Sequence, residues 1–173
     1  KVLTAERLRE IFHELIGQEA ACLDLVTPTH FTEAILASLS EPLPVPVVWN
    51  SSGYDSPEIL SLLNGLVDVY LPDWKYLDNA TAEQYSGISD YCTVTEQAIS
   101  EMVRQVGTPV LNHGILQHGV LIRHLILPGQ RHASMALLRK IAATFPNGQV
   151  WVSLMGQYTP PETPLSDRHL NRR

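Results

Sequence analysis

Cysteine is scarce: the 173 residues hold two, Cys22 and Cys92. Neither has a His or Cys at ligand spacing beside it, so neither a disulfide framework nor a zinc site is expected. Cys22 lies in the apolar run 21–26 and reads as a small buried thiol. Positive charge is also in short supply, with 12 Lys and Arg against 18 Asp and Glu and a formal net charge of −6. That balance excludes a general binder of nucleic-acid backbones, which needs clustered cations to displace counterions. No apolar run approaches the ~18 residues that would span a bilayer, and the opening residues carry no apolar signal region. A cytoplasmic protein without nucleic-acid or membrane partners is expected. Serine-hydrolase elbow, phosphate-binding Walker loop, dinucleotide Gly-x-Gly-x-x-Gly and His-Glu-x-x-His motifs are all missing. No repeat and no linker divides the chain, which reads as a single domain over 1–173 with a proline-rich tail at 159–173.

Hydrophobic residues make up 45% and charged residues 17% of the chain, an ordinary globular composition. Leu8, Ile11, Phe12 and Leu15 recur at helical spacing, predicting a first helix that ends near Gly17. Cys22–Val26 then reads as a buried strand, 31–39 as a helix and 45–49 as a strand. Ser56-Pro57-Glu58 has cap, first-turn proline and acid in the right order for a short helix to Leu63. A strand over 66–71 precedes a long excursion, Pro72 to Thr93. Thr93-Val94-Thr95-Glu96 has the pattern of a capping box, opening a helix that Gly107 ends. Asn112-His113-Gly114 and Gln117-His118-Gly119 read as turns, 120–127 as a strand, 135–145 as a helix and 150–155 as the last strand. Alternation of this kind predicts an α/β fold of five parallel strands joined by right-handed crossovers, with helices on the outer face. A helix standing first, where a strand is usual, points to an embellishment or to a strand lost upstream.

Ligands in parallel α/β folds sit where the strands end. The predicted strand ends carry Thr27, Thr29 and His30; Asn50 and Ser51; Asp73 and Lys75; Arg123, His124 and Leu125; and Tyr158. Four of the five ends turn polar after an apolar run, which marks a candidate binding face. The ordinary alternatives are a surface ion pair for Asp73 and Lys75, a plain turn for 51–54, and a solvated His30. Asp73 and Lys75 lie two apart, so on an extended segment both point one way with Trp74 opposite. Pro72 cannot donate to a ladder and is expected to end the pairing there. Trp49, Trp74 and Trp151 read as packing residues.

Four ordered motifs, at 25–31, 50–56, 69–76 and 121–129, together resemble radical S-adenosylmethionine proteins akin to pyruvate formate-lyase activating enzyme. The ends are similar too, at 3–8 and at Gly156-Gln157-Tyr158 with Asn171-Arg172-Arg173. The resemblance implies a partial (βα) TIM-like barrel whose first strand leads to a Cys-x-x-x-Cys-x-x-Cys loop holding a 4Fe–4S cluster. That cluster, reduced, cleaves bound S-adenosylmethionine to a 5′-deoxyadenosyl radical. The chain has neither the motif nor, by this reading, the first strand. The resemblance therefore implies an S-adenosylmethionine-binding portion, inactive alone, of an activase-like enzyme that acts on a glycyl-radical enzyme or another protein. The cluster would belong to the longer enzyme only, and no residue here is assigned to metal or to catalysis. By the same resemblance, Thr27 and Thr29 stand where relatives receive the methionine amino group. Ser51, beside Asn50, falls near the carboxylate. Asp73 and Lys75 match an Asp-x-Lys that contacts ribose and carboxylate, Leu125 packs on adenine with Tyr158 near it, and Arg123 and His124 flank the pocket. Two other classes compete: a non-catalytic interaction module using the same polar face, and a different small barrel enzyme such as a sugar-phosphate isomerase relative. If a strand is missing, Cys22–Val26 has an open edge, and self-association through it is expected.

Overall fold

A computed structural model of the chain describes residues 3–39, 41–163 and 167–171. The Arg172-Arg173 end of the resemblance lies outside those residues. Six strands form: β1 (Leu23–Val26), β2 (Val47–Ser51), β3 (Val69–Pro72), β4 (Val110–Asn112), β5 (Ile115–Leu125) and β6 (Trp151–Met155). β1, β2, β3, β5 and β6 lie side by side in that order, and each neighbouring pair is parallel. β4 pairs with β5 antiparallel. The sheet is thus mixed and mostly parallel, with six strands where the pattern predicts five.

The sixth strand comes from a hairpin. His113 and Gly114 both have positive φ, 49° and 83°, the backbone that a two-residue turn needs to match strand twist. Asn112 faces Ile115 across it. The expected turn at 112–114 is therefore the tip of a hairpin, while 117–119, expected as a second turn, runs inside β5. Gly119 misled the pattern. It is not a turn residue but a point of close approach, because a Cβ there would lie 2.6 Å from Pro109 Cα.

Helices α1 (Ala5–Gly17), α2 (Thr32–Ser38), α3 (Pro57–Leu63), α4 (Asn79–Ser86), α5 (Tyr91–Val106) and α6 (Arg131–Thr144) fill the connections, with a 3-10 turn at Pro28–Phe31 before α2. α3 starts as its residues dictate, with Ser56 accepting from the Ile59 amide behind Pro57. α5 begins at Tyr91, two residues before the Thr93 box; the Thr93 amide already bonds to the Asp90 carbonyl and Glu96 pairs with Lys140 instead. α4 has no counterpart in the sequence pattern, because its polar run buries only Ala82. Its signals are local: the Asp78 side chain accepts from the Thr81 amide, and Gly87 leaves in the left-handed region.

Register assigns the two sheet faces. Leu25, Trp49, Tyr70 and Val120 stand side by side. With Ile122 and residues such as Phe12, Leu60, Ile99, Met102, Leu137 and Ile141 from the helices, Trp49, Tyr70 and Val120 form the core. The intervening residues, among them Asp24, Asn50, Leu71, Arg123, Leu125, Ser153 and Met155, point the other way. Several of them are exposed or half-buried, Asp24 and Val26 most clearly. Helices on one face are what the alternation predicts. β1 has β2 as its one partner in the sheet among the described residues. Cys22 corrects the buried-thiol expectation: it precedes β1 and is exposed, while Cys92 on α5 is buried. Trp151 is likewise no packing residue, being 38% exposed on β6. No helix among the described residues is long and apolar enough to cross a membrane.

Candidate functional site

β3 ends at its proline, but hydrogen bonds to both neighbouring strands follow it. Pro72 pairs with Ser51 of β2, the Asp73 amide donates to the Ser51 carbonyl, and the Trp74 amide donates to the Arg123 carbonyl. The expected end of the ladder at Pro72 holds for the strand itself: towards β5 the continuous pairing stops at Tyr70 and Val120, and one isolated bridge, Asp73 with Arg123, follows the proline. The strand-like alternation therefore carries through 73–75. Trp74 is fully buried in the core, and Asp73 and Lys75 are on the opposite side, half-buried.

There the Asp73 carboxylate meets two cations. Arg123 Nη2 donates to Oδ1 at 2.8 Å, and Lys75 Nζ stands 3.7 Å from Oδ2. Arg123 Nε is buried and has no hydrogen-bond partner among the described residues, and the same holds for Trp49 Nε1, Trp74 Nε1 and Thr95 Oγ1. These three charged side chains, with Tyr76, Leu125, Leu127 and Met155, line a cavity of about 330 Å³. That volume is at the lower end of the ~300–1,000 Å³ typical of small-molecule sites. Two cations and one anion leave a surplus positive charge beside an apolar wall. Such a lining suits a ligand that joins a carboxylate to a flat apolar group.

Thr29, Asn50 and Ser51 lie at the neighbouring strand ends but are engaged elsewhere. Asp55, buried and absent from the sequence-based candidates, accepts hydrogen bonds from Thr29 Oγ1 at 2.9 Å and from Ser51 Oγ. Ser51 Oγ also accepts from the Gly53 amide, so its one proton is committed to Asp55. Asn50 Nδ2 donates to Asp24 Oδ2 at 3.3 Å. Thr27 adopts a left-handed φ of 54° and its amide donates to the Asn50 carbonyl. His30 is exposed.

Two candidates point away from the cavity. His124 is buried on the helix side of β5, with Nδ1 2.8 Å from the Trp74 carbonyl and Nε2 2.9 Å from Ser134 Oγ. The carbonyl can only accept, so Nδ1 carries the proton and Nε2 accepts from Ser134. One residue of alternation separates it from Arg123, which is why adjacent sequence positions serve different faces. Tyr158 lines an adjoining hollow with Pro128, Gly129 and Gln157, sharing Leu127 with the main cavity, and its hydroxyl donates to the Leu170 carbonyl.

A larger groove of about 840 Å³ runs along the outside of α5 past Asp78, Glu96, Ser100, Arg104 and Lys140. It is helix surface whose charges pair with each other, Glu96 with Lys140 and Glu101 with Arg104. The smaller strand-end cavity has the convergent polar groups and is the better site. Cys22 is exposed ahead of β1, whereas Cys92 is buried on α5 with its Sγ bonded to the Tyr76 carbonyl. Among the described residues no group of three or more His, Cys, Asp or Glu could hold a metal.

No protein-family model matches the chain. It is 30% identical over 148 residues to the uncharacterized protein MJ0674 of Methanocaldococcus jannaschii, a match covering 84% of this chain and 39% of that protein. The chain thus spans about two fifths of the length of the curated relative it matches.

Proposed function

We propose that this chain is the S-adenosylmethionine-binding portion of a radical S-adenosylmethionine enzyme of the activase-like kind, and that its sheet is part of a (βα) barrel. The observation that carries the proposal is the meeting of Asp73, Lys75, Arg123 and Leu125, drawn from separate sequence motifs, around one cavity at the strand ends. The residues present fit the cofactor. Lys75 and Arg123, which both line the cavity, can share a carboxylate. Asp73 can accept from ribose hydroxyls while held by Arg123, and Leu125, Leu127 and Met155 can cover the adenine. When bound, the cofactor supplies radical chemistry, and this chain orients it and excludes water. The described residues do not fit an iron–sulfur cluster, which needs three thiolates in one loop, so any cluster would be held by residues of a longer protein. A glycyl-radical enzyme or another protein would then be the substrate of that longer protein.

Calorimetric titration of S-adenosylmethionine tests the proposal. Lys75→Ala is expected to weaken binding by about 1.5–3 kcal/mol, the worth of a hydrogen bond to a charged group. Because Lys75 is 41% exposed on its side chain, its loss should change folding stability by under ~1 kcal/mol. Equal affinities for wild type and variant would reduce Asp73 and Lys75 to an ordinary surface ion pair.

A further inference from the structure

Two segments meet beside the strand-end site: 51–54 at the end of β2, and 73–75 after β3, whose Asp73 and Lys75 line the cavity. One buried hydroxyl touches both. Tyr91, the first residue of α5, is 2% exposed. Its Oη lies 2.8 Å from the Ser52 carbonyl and 2.9 Å from the Asp73 carbonyl, and the Lys75 amide donates to it at 3.3 Å. The ring is held independently of the hydroxyl. It stacks on Tyr54 with centroids 6.1 Å apart, and meets Tyr76, a cavity-lining residue, edge-on at 5.4 Å. The loops are also in direct contact: a Cβ on Gly53 would fall 2.1 Å from the Asp73 carbonyl oxygen. That carbonyl therefore has a single position, set by Gly53 from one side and Tyr91 from the other.

We infer that Tyr91 is a positioning residue for the ligand site, its hydroxyl latching the 51–54 loop to the 73–75 segment so that Asp73 and Lys75 are presented together. The inference rests on the strand-end cavity being the S-adenosylmethionine site. Tyr91 touches no ligand in this account. It acts through backbone: one proton shared by two carbonyls and one lone pair taken by the Lys75 amide fix the residues on either side of Trp74. Without the hydroxyl, the two carbonyls and the amide must find other partners in a dry interior, and the segment loosens. Burial also holds the phenol well above its ordinary pKa, so the proton stays in place throughout the physiological range.

The test compares wild type, Tyr91→Phe and Tyr70→Phe in the same protein. Tyr70 is the control: equally buried, it donates to Gln105 Oε1 in the helix layer, away from the cavity. Both variants keep the ring and lose one hydroxyl. Calorimetric titration with S-adenosylmethionine is expected to show about five- to tenfold weaker binding for Tyr91→Phe and unchanged binding for Tyr70→Phe, the order of one lost hydrogen bond. Amide exchange of Asp73 and Trp74, whose partners are Ser51 and Arg123 rather than Tyr91, is expected to quicken in Tyr91→Phe alone. Equal affinity for wild type and Tyr91→Phe, or a loss matched by Tyr70→Phe, overturns the inference. If wild type binds no S-adenosylmethionine, the proposed function fails; the exchange rates of Asp73 and Trp74 then judge the latch, quickened rates supporting it and unchanged rates removing it.

Discussion

Gly53 shows how narrowly a single residue can be fixed by its surroundings. Its φ of +75° is costly for any side chain, and a methyl group would collide with the Asp73 carbonyl at 2.1 Å. Gly53→Ala is expected to cost at least about 2 kcal/mol, from left-handed strain plus displacement of a packed carbonyl. Thermal denaturation with matched wild type measures it, and a loss under ~0.5 kcal/mol would show that the two loops are not locked together. The thiols offer a second residue-level check. Cys22 is exposed, whereas burial pushes the Cys92 thiol up and its Sγ is bonded to a carbonyl. One equivalent of thiol reagent should react promptly at neutral pH and the second after unfolding; two prompt equivalents would contradict the packing of α5. Asp73 and Lys75 were legible in the sequence because alternation across a polar pair is a local property. Asp55 and Tyr91 were not. Each draws its role from partners brought in by folding, Thr29 on another loop and the carbonyls of Ser52 and Asp73.

Among the elements, α5 ties the layers together. Gln105 accepts from Tyr70 of β3, donates to the Leu60 carbonyl of α3 and donates to Glu101 one turn back. Hydrogen bonds from Arg104 and Gln105 hold the Glu101 carboxyl down at about 2. A depressed folded-state pKa contributes stability that is complete above the unfolded value and is lost as pH falls through the folded one. The window runs from about pH 4.5 down to about 2, and the contribution is small because the group is near solvent. Glu101→Gln should therefore flatten the acid side of the stability–pH curve within that window and leave its slope above pH 5 unchanged. An unaltered slope below pH 4.5 would mean that the α5 network is not formed in solution. Elements with an apolar stripe, α1, α3 and the parallel strands, were readable from periodicity. α4 lacks a stripe and was invisible. The β4–β5 hairpin was half readable: its Asn-His-Gly tip was clear, but Gly119 looked like a second turn when it is a strand residue pressed against Pro109. Pro72 was the more readable signal, since β3 ends at it.

At the scale of the molecule, one face of the sheet is closed by helices and the other presents Asp24, Asn50, Asp73 and Arg123 with apolar residues between them. Alternation of strands and helices gives the parallel order, and a local pattern cannot show how far such a sheet closes on itself, because closure depends on strand tilt and stagger. The β1 edge, paired with β2 alone among the described residues, is where the self-association expected from the sequence would form. Binding of S-adenosylmethionine in the strand-end cavity can be read residue by residue, by mapping amide and methyl NMR shifts during its titration. Saturable shifts are expected at 73–76, at 123–127 and at the Met155 methyl, with those at Glu96, Ser100 and Lys140 unchanged. Shifts confined to the α5 groove, or no saturable shifts at all, would contradict binding there.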